Sequence, residues 1–329
     1  MKLATYRSGG ETRIGVVDVE SQRVFDLAGA ARRAGADAAP FASMLALIDS
    51  DDAGLDLARD LNAKHAGASN LWSALSAVEL LPPVPEPRQM RDGMSFETHI
   101  RQSGRGGKAV TALKTGGEAA FKAVLAEPLD ELAPVYRHVP IYYITNRFMV
   151  VGPEATVRWP RYSELMDYEL EIGILTRRTR ANIPVAEAGA HIFGYTIFND
   201  FSARDRQMIE MQGRLGPAKG KSFDSANAMG PWIVTPDEIG DPQTLKVEVK
   251  VNGESRAKGE TRNMLFSFPE ILAYVSQDET IHAGEFFGSG TVGNCCGLEL
   301  GRFLEHGDTI ELHIEKIGVL RNKVVRQNV

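Results

Sequence analysis

Cysteine is nearly absent. The chain of 329 residues has two, Cys295 and Cys296, side by side. Adjacent cysteines rarely bridge one another, and two thiols alone cannot build a zinc site. Neither a disulfide framework nor structural zinc is expected. No apolar run approaches the ~18 residues that a membrane span needs, and Met1 to Gly10 hold no apolar core of the signal-peptide kind. Positive charge is not in excess: 37 Lys and Arg stand against 43 Asp and Glu, a formal charge of −6. That balance argues against non-specific nucleic-acid binding. Also missing are the G-x-S-x-G, H-E-x-x-H and C-x-x-C patterns. The expectation is a soluble cytoplasmic protein with no membrane or nucleic-acid partner.

What is present is an ordinary globular composition, 43% apolar and 24% charged. Residues 14–18 and 24–27 read as short strands around a polar turn. Leu45, Leu47, Ile48, Leu55, Leu57, Ala58 and Leu61 recur at helical spacing, broken into two helices by Asp49 to Asp52. Pro82, Pro83, Pro85 and Pro87 then exclude helix and central strand. This predicts a small N-terminal α/β module over 1–82 and a larger domain over 83–329. The larger domain shows short β-type runs at 150–151, 169–175, 192–198, 232–234, 245–251 and 309–314. Helices are expected near 116–126, 202–212 and 264–276. Residues 100–117, rich in Gly and Lys, read as a long loop and a lid. The fold class predicted is α+β, mostly β, with antiparallel or mixed sheets.

Two nucleotide-site imitations fail. Gly288 to Gly293 matches G-x-G-x-x-G, but too many glycines follow for a helix to start there. Gly216 to Ser222 is one residue short of a P-loop and follows a helical stretch.

The informative stretch is Met166-Asp167-Tyr168-Glu169-Leu170-Glu171-Ile172-Gly173-Ile174. At period two, Met166, Tyr168, Leu170, Ile172 and Ile174 share one face, and Asp167, Glu169 and Glu171 the other. Neighbours on a face lie about 6.6 Å apart along a strand. Such a row of carboxylates is either a solvated outer face or a seat for a hard divalent cation. A buried strand, 191–198, then runs into Asn199-Asp200, and Ser202 with Asp205 reads as a helix start. Arg204 and Gln207 share a face of that helix, as a structural ion pair or a substrate clamp.

Asp-Tyr-Glu-Leu-Glu at 167–171 followed by Asn-Asp-Phe-Ser-Ala-Arg-Asp-Arg-Gln at 199–207 resembles the fumarylacetoacetate hydrolase superfamily. The resemblance continues through Lys221-Ser222-Phe223-Asp224, Gly230-Pro231-Trp232 and Gly290-Thr291-Val292, and covers residues 88–329. It implies a mixed β-sandwich or roll as the catalytic domain. It also implies one divalent metal on Glu169, Glu171 and Asp200, with Asp92 as an additional ligand. Mg2+ comes first, with Mn2+ or Ca2+ as alternatives. His99 matches the family's catalytic histidine. Short-chain members carry a Glu three residues later, where this chain has Gln102. The fumarylacetoacetase branch instead orients its histidine with a Glu beyond the Gly-Thr motif, which maps to Glu299. Lys221 resembles the lysine that stabilises the developing oxyanion. Arg204, Gln207 and Thr291 would contact substrate. The other histidines and both cysteines are read as structural.

The resemblance implies a hydrolase cleaving a C–C bond in a 1,3-diketo acid, of acylpyruvate or fumarylacetoacetate type. Water would be activated by His99, a residue suited to proton transfer near neutral pH. The expected setting is breakdown of aromatic compounds, by a homodimer acting on a small anionic keto acid. The alternative on the same scaffold is a lyase or isomerase: a 2-oxo-acid decarboxylase, a sugar-acid dehydratase or a muconate-type isomerase. A third class, a non-catalytic metal-binding protein, predicts cation binding without turnover.

Overall fold

The computed structural model describes residues 1–326. Its larger sheet has twelve strands. The main path runs Trp72–Ala74, Arg23–Asp26, Glu11–Asp18, Lys2–Ser8, Asn227–Val234, Ile192–Asp200, Leu170–Thr176, Phe286–Gly288, Met90–Gly93, Tyr142–Ile144. Pairing is antiparallel except where Phe286–Gly288 meets Met90–Gly93 and where Val150–Val151 meets Asn227–Val234. A five-stranded sheet runs Glu254–Glu260, Lys246–Val251, Thr309–Ile314, Gly318–Arg326, Thr156–Trp159. The α+β, strand-rich class is the one expected from the sequence.

Both faces of the larger sheet are covered, so its central strands lose the polar-out alternation. On one face Ile172, Ile174, Ile197 and Val234 pack with Val249, Leu312 and Leu320 of the smaller sheet. On the other, Leu175, Phe193, Phe198 and Phe286 pack with Leu47, Leu55 and Phe25 of the N-terminal segment. That segment holds helices Leu27–Ala34, Met44–Asp49 and Asp51–His65. It shares the larger sheet: Leu3 pairs with Ile233, and Thr5 Oγ1 donates to Pro83 O at 2.6 Å.

The lid reading of 100–117 is corrected. Those residues lie in a helix, Glu97–Leu125, with one non-helical residue at Gly117. Two of the glycines taken as loop markers serve close packing instead. A Cβ on Gly106 would lie 2.6 Å from Leu298 O, and one on Gly107 2.8 Å from Met208 Sδ. The helix expected over 116–126 is the C-terminal part of this one. The other two expected helices are shorter than the pattern suggested, Arg204–Glu210 and Phe268–Val275. The Ser202 cap is also absent: Ser202 and Ala203 pair with Asp167 and Met166, and the Ser202 hydroxyl donates to Asp200 O.

Candidate metal and catalytic site

The Asp-Tyr-Glu-Leu-Glu stretch divides into two strand pieces, Met166–Asp167 and Leu170–Thr176. Its period-two face is intact: Met166, Tyr168, Leu170, Ile172 and Ile174 all enter one core. The acidic face does not meet water. Asp167, Glu169 and Glu171 are buried, which removes the reading of a solvated outer face. Ionised carboxylates are buried only when paired, hydrogen-bonded or ligating.

Each acid has a different solution. Glu169 is held by two cations, with Oε1 2.7 Å from Arg204 Nη2 and Oε2 2.5 Å from Lys221 Nζ. Burial alone would raise its carboxyl, but Arg204 and Lys221 outweigh burial and hold it well below the usual carboxylate range. Glu171 faces Asp92 across the intervening strand Phe286–Gly288, and its Oε2 accepts from Gly290 N at 2.8 Å. Burial, then mutual proximity among the carboxylates, pushes the Asp92 and Glu171 carboxyls up. Asp200, at the end of strand Ile192–Asp200, takes Lys221 Nζ at 2.5 Å and the Tyr143 hydroxyl at 2.8 Å on Oδ2. Burial raises its carboxyl as well, against the pull of Lys221.

Asp92, Glu169, Glu171 and Asp200 each offer an oxygen within 4.8 Å of the others. Asp92 Oδ1, Glu171 Oε1 and Asp200 Oδ1 are buried without a hydrogen-bond partner. An all-oxygen donor set with three orphaned atoms fits a hard divalent cation. Gly288 makes room for it, since a Cβ there would lie 2.3 Å from Asp92 Oδ1 and 2.8 Å from Glu171 Oε2.

His99 sits in the first turn of helix Glu97–Leu125, four-per-cent exposed. Its Nδ1 is 3.0 Å from Glu299 Oε1, and its Nε2 is 4.0 Å from Glu169 Oε1. Glu299 lies in the single turn Gly297–Leu300 and also accepts from Cys296 N at 3.0 Å. Gln102, by contrast, points to Asn294 at 2.8 Å. Lys221 lies at the end of Ala218–Lys221, a turn drawn against helix Arg204–Glu210. Contact there depends on Gly220, where a Cβ would stand 2.7 Å from Gln207 Cβ. Burial opposes the Lys221 charge, but Asp200 and Glu169 hold its ammonium above the ordinary lysine value. Arg204 donates Nε to Asp167, Nη2 to Glu169 and Nη1 to Gln207 Oε1. Thr291 Oγ1 is buried with no partner.

The structure therefore brings together all ten residues singled out from sequence, around one cavity of about 580 Å3 whose lining includes eight of them. The other two lie behind the lining, Asp200 bonded to Lys221 and Glu299 to His99. Three contributors were given no role of their own from the sequence, although Asp167 and Asn199 lie inside the motifs that carry the resemblance. The Tyr143 hydroxyl donates to Asp200, Asn199 orients the backbone by accepting from Glu169 N at 3.0 Å, and Asp167 pairs with Arg204. Only the fold brings them to the site.

A strand-rich α+β scaffold with a four-carboxylate cluster beside a His–Glu pair is the arrangement of an enzyme site able to hold a divalent cation. Residues 107–325 match the family model for the fumarylacetoacetate (FAA) hydrolase C-terminal domain. The chain belongs to that family. It is 30% identical to oxaloacetate tautomerase YisK of Bacillus subtilis over 98% of this chain and 100% of that one. It is 34% identical to 2,4-didehydro-3-deoxy-L-rhamnonate hydrolase of a Sphingomonas strain, over 56% of this chain and 65% of that one. The fumarylacetoacetate hydrolase structure from Exiguobacterium antarcticum aligns with TM-score 0.70 at 26% identity, covering 99% and 100%. Maleylpyruvate hydrolase from Sphingobium sp. SYK-6, in complex with manganese(II) and pyruvate, shares the fold, with TM-score 0.71 at 22% identity over both full chains.

Proposed function

We propose that this chain hydrolyses the C–C bond of a 2,4-diketo acid of the acylpyruvate type. The reaction takes up one water and yields a carboxylic acid and pyruvate. The observation that carries this reading is the His99–Glu299 pair at 3.0 Å beside the carboxylate cluster. Reprotonating an enol needs one acid or base. Splitting a ketone with water needs a base whose other nitrogen is fixed, so that the proton has a defined destination.

Asp92, Glu169, Glu171 and Asp200 would hold the divalent cation, Mg2+ first and Mn2+ second. When bound, it supplies Lewis-acid polarisation of the 2-oxo group. The chain's own residues do the rest. His99 Nε2 takes a proton from water, and Glu299 stabilises the imidazolium at Nδ1. The water oxygen adds to the acyl carbonyl, with the Lys221 ammonium and the Thr291 hydroxyl available to the oxygen that gains charge. The C–C bond breaks, its electron pair stays on the pyruvate methylene, and a proton from His99 completes the methyl group. The reading extends to a homodimer in the cytoplasm, in aromatic-compound breakdown.

A second reading adds no water: an isomerase that only moves a proton, or a lyase that breaks a bond and then protonates the enolate, on an oxo acid. Full-length similarity to an oxaloacetate tautomerase supports it. Proton NMR of acetylpyruvate, fumarylpyruvate and oxaloacetate, with Mn2+ or with EDTA, separates the two. The hydrolase gives cation-dependent pyruvate plus a second acid. That activity disappears in His99→Gln while Mn2+ binding persists. Enol-to-keto conversion or CO2 loss from oxaloacetate, with both acylpyruvates intact, overturns the hydrolase in favour of the second reading.

A further inference from the structure

The cavity over the site has two chemically different ends. Helix Glu97–Leu125 carries His99 in its first turn and lines the cavity through Ile100, Ser103, Gly107 and Thr111. Twelve residues at 1.5 Å each carry this wall about 18 Å outward from the base. Helix Arg204–Glu210 and the turn after it form a second wall, from Arg204 and Gln207 at the carboxylates out to Met208 and Met211. The two walls touch where Gly107 meets Met208.

Beyond the polar end the lining is chiefly apolar: Ile100, Ile141, Tyr142, Met208, Met211 and Leu298. Among the described residues Lys108 is the one basic side chain on that part of the lining, and it is bonded to Asp130 at 2.6 Å. Arg101 and Arg105 of the same helix point elsewhere. Arg101 donates to Asp130 O at 2.8 Å and Arg105 to Glu127 O at 3.1 Å. A carboxylate at the far end of a substrate would find no committed cation there, whereas an apolar chain would cover the exposed side chains of Ile141 and Met211.

From this the geometry points to an acyl group that is uncharged and apolar, a medium-length alkyl or an aryl chain, and not one ending in a carboxylate. The inference names the substrate of the hydrolase reading and rests on that reading for the word acyl. The apolar end of the cavity stands independently of it. At about 580 Å3 the cavity is in the usual range for ligand pockets and far exceeds the need of an acetyl group. Each methylene removed from water there contributes about threefold to fourfold in affinity.

The test compares kcat/KM for acetylpyruvate, hexanoylpyruvate and fumarylpyruvate with the Mn2+-loaded protein. Hexanoylpyruvate should exceed each of the others by at least tenfold. Met211→Lys, at a half-exposed position, should shrink or reverse the preference over fumarylpyruvate. Equal or better turnover of fumarylpyruvate overturns the inference and leaves the hydrolase reading intact. Calorimetric binding of 2-oxooctanoate against 2-oxoadipate, neither of which can be cleaved, reads the same pocket without chemistry. If no acylpyruvate is cleaved but 2-oxooctanoate binds more tightly by fivefold or more, the hydrolase fails and the apolar pocket stands. Tighter binding of 2-oxoadipate overturns the pocket inference whatever the reaction.

Discussion

Asp167 and Arg204 meet in the core, Oδ2 to Nε at 2.7 Å, and neither side chain is more than one per cent exposed. The same carboxylate accepts from Gly297 N at 2.7 Å and Leu298 N at 2.8 Å, at the start of the turn that carries Glu299. Gly297 is a close approach: a Cβ there would lie 2.3 Å from Asp167 Oδ1. Asp167 thus holds the support of the His99 partner with one face and Arg204 with the other. Burial raises its carboxyl, while Arg204 and the backbone donor Tyr168 N counter part of that.

Asp167→Asn turns one acceptor into a donor facing other donors. Breaking a buried pair from one side costs about 3–5 kcal/mol. Urea unfolding should show a loss of that size. In the fraction still folded, turnover should fall further than Mn2+ affinity, because the dyad loosens while the four ligands stay. Unchanged turnover per folded molecule would remove the positioning role.

Glu299→Gln keeps the shape of the dyad and removes its charge. Loss of an oriented base costs about 10^2–10^4 in rate. The expected result is that loss in kcat with KM within a few-fold, measured as pyruvate release at saturating Mn2+. A KM effect alone would make Glu299 a packing residue.

Asp92→Asn should act in opposite directions on stability with and without metal. Without a cation, Asp92 and Glu171 are like groups buried together, with Asp92 Oδ1 and Glu171 Oε1 lacking partners. An amide relieves that, and the EDTA-treated variant should melt above the EDTA-treated parent. With Mn2+ at 100 times its Kd the parent gains about 2.7 kcal/mol, and the variant should forfeit most of that gain. Differential scanning calorimetry in both states checks the crossing.

The site was legible where spacing is local. Glu169 and Glu171 sit two apart on one face, and Asp200 ends a strand whose eight preceding residues are all buried. Resemblance carried His99 and Glu299, which are 200 residues apart and meet at 3.0 Å. The long helix was not legible. Its glycines at 104, 106, 107, 116 and 117 depress helix propensity. Only the facing Leu298 and Met208 explain why 106 and 107 lack a Cβ. Tyr143 was hidden for a related reason: an antiparallel strand pairing with Asp92, invisible in composition, points its hydroxyl to Asp200.

Cys295 and Cys296 are fully buried, and burial, then the nearby Glu299 carboxylate, pushes both thiols well above their ordinary value. The thiolate is the reactive form, so both should resist thiol reagents through neutral and mildly alkaline pH. Titration with a disulfide reagent should release almost nothing from the native protein and two equivalents in guanidinium. Cys296 Sγ is 4.0 Å from His99 Nδ1, so rapid native labelling would mean that the helix bearing His99 opens readily.

Gly288→Ala tests the cation seat without touching a ligand. Its Cβ would enter the space between Asp92 Oδ1 and Glu171 Oε2, at 2.3 Å and 2.8 Å. Alanine suits a strand backbone better than glycine, so the cost should fall on the carboxylates and not on the sheet. Those two side chains must turn away, and a hard cation tolerates little change in ligand geometry, Mg2+ least. The expected outcome is a tenfold or greater loss of Mn2+ affinity by calorimetry, a larger loss for Mg2+, and an EDTA-treated melting temperature within a few degrees of the parent. Full Mn2+ affinity in this variant would mean that Asp92 and Glu171 do not share the cation, and would leave Glu169 and Asp200 as its ligands.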